Sequence, residues 1–162
     1  MKSERKYSLI EAKFKLEAYC AYQERCSFEL EKKMKSWGID NEDQGRLLAE
    51  LISSNFLNEE RFAEAYVSGK VRIKRWGRIK IRRELKQRHI SEYSINKGIA
   101  SIDLDDYWNN LMFLTLKKWE SITNEQDSYK KKAKVYRYLS SKGYETDLLK
   151  DAVEEVLGRT KK

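Results

Sequence analysis

The sequence predicts an all-helical protein built from three tandem three-helix repeats. Its apolar residues recur at spacings of three and four, the pattern of helices rather than strands. The composition agrees, because the 162 residues include no proline and only seven glycines, and 37% of them are charged. A spacing of 51 to 54 residues between similar segments predicts units that stack mainly on their neighbours into an elongated, curved body.

Each repeat contains an i, i+4 apolar pair, a turn residue four positions later and an apolar residue directly after the turn. The three sets are Leu30, Met34, Gly38 and Ile39; Ile81, Leu85, His89 and Ile90; and Val135, Leu139, Gly143 and Tyr144. His89 therefore takes the place of two glycines. We interpret it as a turn residue at a helix C-terminus rather than as a catalytic imidazole.

Capping patterns indicate where helices begin within the repeats. The predicted start signals, in chain order, are Ser8-x-x-Glu11, Asn41-x-x-Gln44, Asn58, Ser91 and Thr123-x-x-Gln126. They give three-helix repeats at 8–56, 57–102 and 103–158, followed by a frayed tail at 159–162. Phe62, Tyr66, Trp108 and Trp119 lie at helical spacing and are expected to be core residues.

Positive charge is concentrated in the middle of the chain. Between Lys70 and Ile90 there are ten basic residues and one acid, Glu84, a net charge of +9 where the whole chain carries +8. A solvated face normally mixes both signs, so we favour a docking surface for a polyanion or an acidic protein. The residues expected to bind a partner are Arg72, Lys74, Arg75, Trp76, Arg78, Lys80, Arg82, Arg83 and Lys86. Phosphate contacts would come from the bases on either side of a helix start near Arg78.

Two details of the basic segment have alternative interpretations. Val71–Lys74 and Arg78–Ile81 alternate with period two around Trp76-Gly77, which alone would fit a β-hairpin. The internal repeat favours two basic helices with a break near Trp76 and Gly77, since an isolated hairpin is only marginally stable in water. Trp76 either stacks on a base or enters a partner's pocket, or it covers the joint between the two helices.

Other polar clusters have simpler explanations. Glu59, Glu60 and Arg61 are interpreted as a salt-bridge set at a helix start, where the helix dipole stabilises acids by about 0.3 to 1 kcal/mol each. The second basic cluster, Lys130 to Lys132 with Lys134 and Arg137, is interpreted as a solvated face, because no aromatic residue is clearly displayed with it.

The composition gives little support to enzyme, metal or membrane classes. Cys20 and Cys26 are expected to be reduced thiols, and with one histidine they cannot form a four-ligand zinc site. We expect no catalytic residue, metal or cofactor. An enzyme that uses a divalent metal and depends on Glu59 or Glu60 is the weakest hypothesis. No apolar run has bilayer length and residues 1–6 lack the apolar region of a signal peptide, so a cytoplasmic protein without a membrane partner is expected.

The centre of the chain resembles the signature of the RecX family of bacterial regulatory proteins. The matching residues are Phe56-Leu57-Asn58-Glu59-Glu60-Arg61-Phe62-Ala63, the basic segment, and Gly77 to Leu85. Upstream, Tyr19-Cys20-Ala21, Glu24-Arg25-Cys26-Ser27 and Glu29-Leu30 resemble that family's first repeat. The resemblance is strong over roughly residues 10 to 105. It is weak beyond, since the third repeat lacks an obvious counterpart of the signature.

This resemblance implies a partner. RecX proteins bind the RecA recombinase filament, lie along its helical groove and inhibit its ATPase, strand-exchange and coprotease activities. By similarity, the chain is expected to be a monomeric, non-enzymatic regulator of recombinational DNA repair and the SOS response. Its basic middle repeat would contact the filament, with single- or double-stranded DNA as a further ligand. The alternative is a stand-alone DNA-binding protein that uses the same 70–90 patch.

Overall fold

The computed structural model describes residues 4–160, and within this range it contains helices and no strands. The α-helices are α1 Leu9–Tyr22, α2 Ser27–Ser36, α3 Asn41–Ser53, α4 Glu59–Gly69, α5 Arg78–Gln87, α6 Glu92–Ala100, α7 Leu104–Ser121, α8 Ser128–Ser141 and α9 Thr146–Thr160. A π-helical turn, Lys70–Lys74, directly follows α4. The nine α-helices of the described range form three consecutive triplets, which confirms the predicted fold class. None of them is both long and apolar enough to cross a lipid bilayer.

The turn that ends the second helix of each triplet has the same backbone conformation in all three repeats. Gly38, His89 and Gly143 have left-handed φ values of 76°, 58° and 95°. The next residue in each turn donates its amide to a carbonyl five positions earlier, as in a Schellman motif. These bonds are Ile39–Met34 at 3.1 Å, Ile90–Leu85 at 3.2 Å and Tyr144–Leu139 at 3.3 Å. The prediction that His89 is a helix C-terminal turn residue is therefore confirmed.

The chain divides into two compact units, and it passes from one to the other three times. The first unit comprises the residues up to Ala65 together with Leu85–Lys97, and the second comprises Tyr66–Glu84 and the residues from Gly98 onward. Helices α4, α5 and α6 each begin in one unit and end in the other. The limits of the three repeats, 8–56, 57–102 and 103–158, remain a prediction.

The core of the first unit is formed by apolar residues of α1, α2 and α3. Its fully buried members include Leu16, Leu30, Met34 and Leu51. The Ser8 hydroxyl accepts a hydrogen bond from the Glu11 amide, as predicted. The predicted start of α3 was displaced by one residue. Asp40 caps this helix through the Asp43 amide, while the Gln44 side chain donates instead to the carbonyl of Ile39.

The core of the second unit lies among α7, α8 and α9. Tyr107, Leu111, Leu139 and Val153 are buried there, and Trp108 and Trp119 pack against them as half-buried residues. The predicted cap at Thr123 is wrong. The side chain of Asp127 caps α8 by accepting hydrogen bonds from the amides of Tyr129 and Lys130.

The basic segment is helical with a break, as predicted, and does not form a hairpin. The π-helical turn ends at Arg75, which has a left-handed φ of 53°, and α5 starts at Arg78. Val71 is buried, whereas Arg72, Ile73 and Lys74 are exposed. The alternation of apolar and basic residues therefore reflects a π-helical turn and the following α-helix rather than two strands.

Candidate functional site

The signature residues at the start of α4 have structural roles in the first unit. The Asn58 side chain caps α4 by accepting a hydrogen bond from the Arg61 amide at 2.9 Å. Glu59 accepts three hydrogen bonds from the start of α6: from the Ser91 amide at 3.0 Å and from the hydroxyls of Ser91 and Ser94 at 2.9 Å each. Glu59 therefore fixes α6 to the start of α4, and Ser91 caps α6 as predicted.

These hydrogen bonds favour the ionised form of Glu59. Burial alone would raise its pKa, but the bonds from Ser91 and Ser94 outweigh that effect and hold the pKa below its usual value. The neighbouring Glu60 pairs with Lys97 at 2.9 Å. Both acids are thus engaged within the protein. Glu59 and Glu60 thus have structural roles at the helix start, as expected, but each pairs with a residue other than Arg61.

Arg61 ties the α3–α4 turn to the residues that precede α2. Its guanidinium donates to the carboxylate of Glu24, to the side chain and carbonyl of Asn55 and to the carbonyl of Phe56. Asn55 has a left-handed φ of 63°. The arginine of the signature therefore stabilises a local backbone turn. Its acidic partner is Glu24 rather than the adjacent Glu59 or Glu60.

The start of α5 is joined to the turn that follows α8. The Gly77 amide donates to the Lys142 carbonyl at 2.8 Å, and the Ile79 amide donates to the Gly143 carbonyl at 3.0 Å. The Arg78 amide donates to the Tyr107 hydroxyl at 3.0 Å. Because these three amides already have acceptors, none of them is available to bind an anion. Any phosphate contact here would depend on side chains.

Arg78 is engaged within the second unit. Its guanidinium lies 3.1 Å from the Glu145 carboxylate and 4.3 Å from the centre of the Tyr107 ring. The Tyr107 hydroxyl also hydrogen-bonds Glu145. Burial, followed by this bond to a carboxylate, raises the pKa of Tyr107 above its usual value. Arg78 was predicted to contact a partner, and the structure places it in an intramolecular ion pair.

Arg75 and Trp76 lie at the break between the π-helical turn and α5. The Arg75 carbonyl accepts a hydrogen bond from the Tyr144 hydroxyl at 2.8 Å, and its guanidinium lies 4.2 Å from the Phe113 ring. Trp76 is half-buried, and the ammonium groups of Lys70 and Lys80 lie 4.8 and 4.4 Å from its ring. The indole is thus already in contact with bases of its own chain, while its role towards a partner remains a prediction.

The other predicted residues differ in how freely they are displayed. Arg72, Lys74 and Arg83 are exposed, and within residues 4–160 none of them forms an ion pair. Arg82 is half-buried. Lys86 belongs to the first unit, where it pairs with Glu92 at 3.0 Å. The structure therefore does not bring all nine predicted residues into one compact unit.

Lys142 is a basic residue of this region that the sequence analysis missed. It is half-buried after the end of α8, where burial, and then repulsion from Lys80 and Lys74, lowers the pKa of its ammonium group. A signal was present, since Lys142 precedes Gly143, the turn residue of the third repeat. That signal does not reveal that α5 lies against the turn.

The second basic cluster contacts aromatic residues. The Lys131 ammonium lies 4.3 Å from the Trp119 ring and that of Lys132 lies 5.6 Å from the Tyr136 ring. Lys134 pairs with Glu125 at 3.5 Å. Both rings are half-buried, so these contacts do not show a displayed aromatic residue, and the interpretation of this cluster as a solvated face stays a prediction.

Net charge distinguishes the two units. Over the sequence, the first unit holds fourteen basic and fourteen acidic residues, whereas the second holds twenty and twelve. The whole net charge of +8 therefore belongs to the second unit. No group of three or more His, Cys, Asp or Glu residues in the described range could hold a metal ion. An excess of positive charge of this size can attract a polyanion.

Two family models match consecutive segments of the chain. The model for the second three-helix domain of RecX matches residues 58–99, and the model for the third three-helix domain matches residues 105–153. The second match extends the resemblance beyond residue 105, where the sequence analysis found it weak. Together these segments cover more than half of the chain.

Curated proteins and a solved structure are similar as well. The chain is 32% identical over 130 residues to regulatory protein RecX of Clostridium botulinum strain Eklund 17B, covering 80% of this chain and 60% of that protein. It is 36% identical over 126 residues to regulatory protein RecX of Clostridium tetani, covering 77% and 57%. A crystal structure of regulatory protein RecX aligns with a TM-score of 0.78 at 23% identity, covering 88% of this chain and 71% of that one.

The solved structure supports the fold, and the sequence matches establish the family. The chain spans about 60% of the length of the Clostridium botulinum relative. Consecutive RecX domain models match at the positions where the structure has its second and third helix triplets. The chain belongs to the RecX family of regulatory proteins.

Proposed function

We propose that this chain binds the RecA recombinase filament and inhibits its ATPase, strand-exchange and coprotease activities. It would thereby modulate recombinational DNA repair and the SOS response, as a cytoplasmic protein that is not an enzyme. Membership of a family of regulatory proteins supports the proposal. The structural observation that carries it is the concentration of the whole net charge in the second unit.

The exposed bases of the second unit are the residues we assign to docking. Arg72 and Arg83 are exposed and form no ion pair with described residues. A partner therefore need not break an existing salt bridge to reach them. Unpaired surface charge attracts an oppositely charged partner over about 10 Å at 0.1 M salt, and it raises the association rate more than the final affinity. A nucleoprotein filament that displays acidic groups and bound DNA suits such a surface.

Stand-alone DNA binding is the second candidate, and the same unneutralised charge favours it. A protein that neutralises Z phosphates loses affinity with salt at a log–log slope of about −0.9Z on duplex DNA and about −0.7Z on a single strand. Binding to bare DNA should therefore weaken steeply with salt. Binding to a filament should keep a component that depends less on salt, because protein contacts contribute to it.

The decisive measurement is DNA-dependent ATP hydrolysis by the cognate recombinase, with and without this protein. The test variant is Arg72→Glu/Arg83→Glu, because these side chains are exposed and unpaired within the described range. Arg78 is left intact, since its replacement would also remove the ion pair with Glu145. The control, Lys35→Glu/Lys150→Glu, changes the net charge equally at two other exposed lysines.

We expect the wild-type protein and the control to suppress hydrolysis at near-stoichiometric concentration. The test variant should need at least about tenfold more protein, equivalent to a loss of about 1.4 kcal/mol or more. If the wild-type protein leaves hydrolysis unchanged yet shifts free DNA with a steep salt slope, the filament proposal fails and DNA binding replaces it. If test and control variants inhibit equally, the basic surface is not the docking site.

A further inference from the structure

We propose that Lys74, Lys80 and Lys142 form a binding site for phosphate groups, supplied by a polynucleotide backbone or by a free oligophosphate. The inference deepens the proposed function, because it names the chemistry recognised by part of the same surface. It rests on that function only for the biological source of the phosphate. The site includes a residue of the third repeat, Lys142, which lies far along the chain from the basic segment.

Backbone contacts hold two of the three lysines at the same place. The Gly77–Lys142 and Ile79–Gly143 hydrogen bonds, 2.8 and 3.0 Å long, join the start of α5 to the turn after α8. Lys80 lies directly against this turn, since a Cβ added to Gly143 would be 2.4 Å from the Lys80 Cβ. The fold therefore holds Lys80 against the turn that carries Lys142. Their charged ends can separate only by side-chain rotation.

No carboxylate of the described residues pairs with these lysines. Lys74 is exposed, Lys80 and Lys142 are half-buried, and none of the three forms a salt bridge within residues 4–160. Burial, and then the charges of Lys80 and Lys74, lowers the pKa of Lys142, so both of these lysines repel the charged form of Lys142. Like charges that the fold keeps close together, without a counter-ion, destabilise the folded state. A bound anion would remove that repulsion.

The chemistry of the cluster favours phosphate over a carboxylate. Lysine ammonium groups act as point charges and are common phosphate ligands, whereas the planar fork of a carboxylate is matched best by arginine. A terminal phosphate group carries about −1.5 to −2 charges and three acceptor oxygens, which suits three separate donors. Trp76, whose ring lies 4.4 Å from the Lys80 ammonium, adds an aromatic surface beside the cluster.

Side chains alone would form the site. The Gly77, Arg78 and Ile79 amides at the start of α5 already donate to Lys142, Tyr107 and Gly143. Replacing one lysine by methionine keeps most of the side-chain volume and removes only the charge. The Lys142→Met change leaves the backbone bonds to Gly77 and Ile79 intact, so it tests the charge separately from the fold.

The experiment measures binding of tripolyphosphate and of a single-stranded oligothymidine by calorimetry at low salt. The proteins compared are wild type, Lys142→Met, Lys80→Met and the control Lys35→Met, with thermal unfolding of each in the absence of ligand. We expect wild type and control to bind, and each cluster variant to lose affinity at least about tenfold. The unliganded Lys142→Met protein should unfold at the same temperature or higher, because its repulsion is gone.

Two ligands distinguish the source of the phosphate. If the oligothymidine also binds, and each lysine replacement reduces its log–log salt slope by about 0.7, the source is a nucleic-acid backbone. If only tripolyphosphate binds, the source is a free oligophosphate. The site is refuted if the wild-type protein binds neither ligand, or if Lys142→Met binds both as tightly as wild type.

Recombinase inhibition is measured on the same samples. A wild-type protein that binds phosphate but does not inhibit hydrolysis would leave the site standing and remove the proposed function. A wild-type protein that inhibits hydrolysis but binds neither ligand would support the proposed function and refute the phosphate site. The two proposals can therefore fail independently.

Discussion

The amide of Gly77 donates a hydrogen bond to the carbonyl oxygen of Lys142 at 2.8 Å, across 65 residues of sequence. This bond joins the break in the basic segment to the turn of the third repeat. A side chain on Gly77 would meet that turn directly, because an added Cβ would lie 2.3 Å from the carbonyl carbon and oxygen of Gly143.

Replacing Gly77 with alanine should therefore destabilise the protein, since backbone atoms have to shift to accept the methyl group. We expect a loss of about 1 to 3 kcal/mol in the free energy of unfolding, measured by chemical denaturation. Gly69→Ala is the matched control in the same unit. Gly69 has helical φ and ψ and open space around it, so that change should stabilise by about 0.5 to 1 kcal/mol. Equal effects of the two changes would contradict the close contact.

Arg78 and Arg83 should differ in their contribution to stability. Arg78→Met leaves the Glu145 carboxylate without its cation, and because the pair is partly exposed we expect a loss of about 1 to 2 kcal/mol. Arg83 is exposed and forms no ion pair within residues 4–160. Arg83→Met should therefore change the free energy of unfolding by less than about 0.5 kcal/mol. Thermal unfolding of both variants measures this. An equally stable Arg78→Met protein would show that the ion pair with Glu145 contributes nothing.

Glu59→Gln should lower the free energy of unfolding by an amount that depends on pH. The folded-state pKa of Glu59 lies below its usual value of about 4.5, so the carboxylate stabilises the fold above that value. This stabilisation is lost as the pH falls through the folded-state pKa. The difference in unfolding free energy between wild type and variant should be about 1 to 2 kcal/mol at pH 7 and should shrink towards pH 3.

Glu60→Gln provides the comparison for that experiment. Within residues 4–160 the Glu60 side chain pairs with the exposed Lys97 alone, and such pairs contribute little. Its variant should therefore be closer to wild type at pH 7. A Glu59 variant that differs from wild type by the same amount at both pH values would refute the role assigned to the carboxylate.

His89→Gly should stabilise the protein. His89 has a φ of 58°, which disfavours residues with a Cβ, and glycine occupies the equivalent position in the other repeats. We expect a gain of about 1 kcal/mol, reduced by the lost contact with Phe28, whose ring centre lies 5.0 Å from the imidazole.

Gly38→Ala makes the converse change at the equivalent turn of the first repeat. Gly38 has a φ of 76°, and an added Cβ would lie 2.6 Å from the carbonyl oxygen of Glu4, so a loss of stability is expected. Chemical denaturation of both variants measures the two effects. A destabilised His89→Gly protein would show that the Phe28 contact outweighs the backbone preference.

Sequence patterns predicted the features that depend on neighbouring residues. The turn at His89 could be predicted because apolar spacing and a left-handed residue after a helix are local properties, repeated three times. Capping was predicted less well. The side chains of Asp40 and Asn41 can both accept a hydrogen bond from a backbone amide. Their order in the sequence does not decide which of them caps the helix. At α8 the helix begins at Ser128, and the carboxylate of Asp127 accepts hydrogen bonds from two amides of its first turn.

The candidate site was predicted only in part, because its partners lie far apart in sequence. Arg78 was identified by its charge, but its partner Glu145 comes from the turn before α9. Lys142 was missed for the same reason, since only the packing of α5 on the α8–α9 turn brings it to Lys80. Composition could locate the positive charge. Which charges are neutralised is decided by long-range contacts.

The π-helical turn Lys70–Lys74 has a consequence for changes in chain length. A π turn holds about one residue more than the 3.6 residues of an α-helical turn. Deleting one residue there would allow ordinary α-helical bonding, and the side chains on its two sides would keep about the same relative orientation, because the π turn already holds the extra residue. A deletion within the α-helical part of α4 or α5 would instead rotate the side chains that follow it by about 100°. The π-helical turn is therefore the place in the basic segment where the chain can lose one residue with the least change in the direction of the flanking side chains.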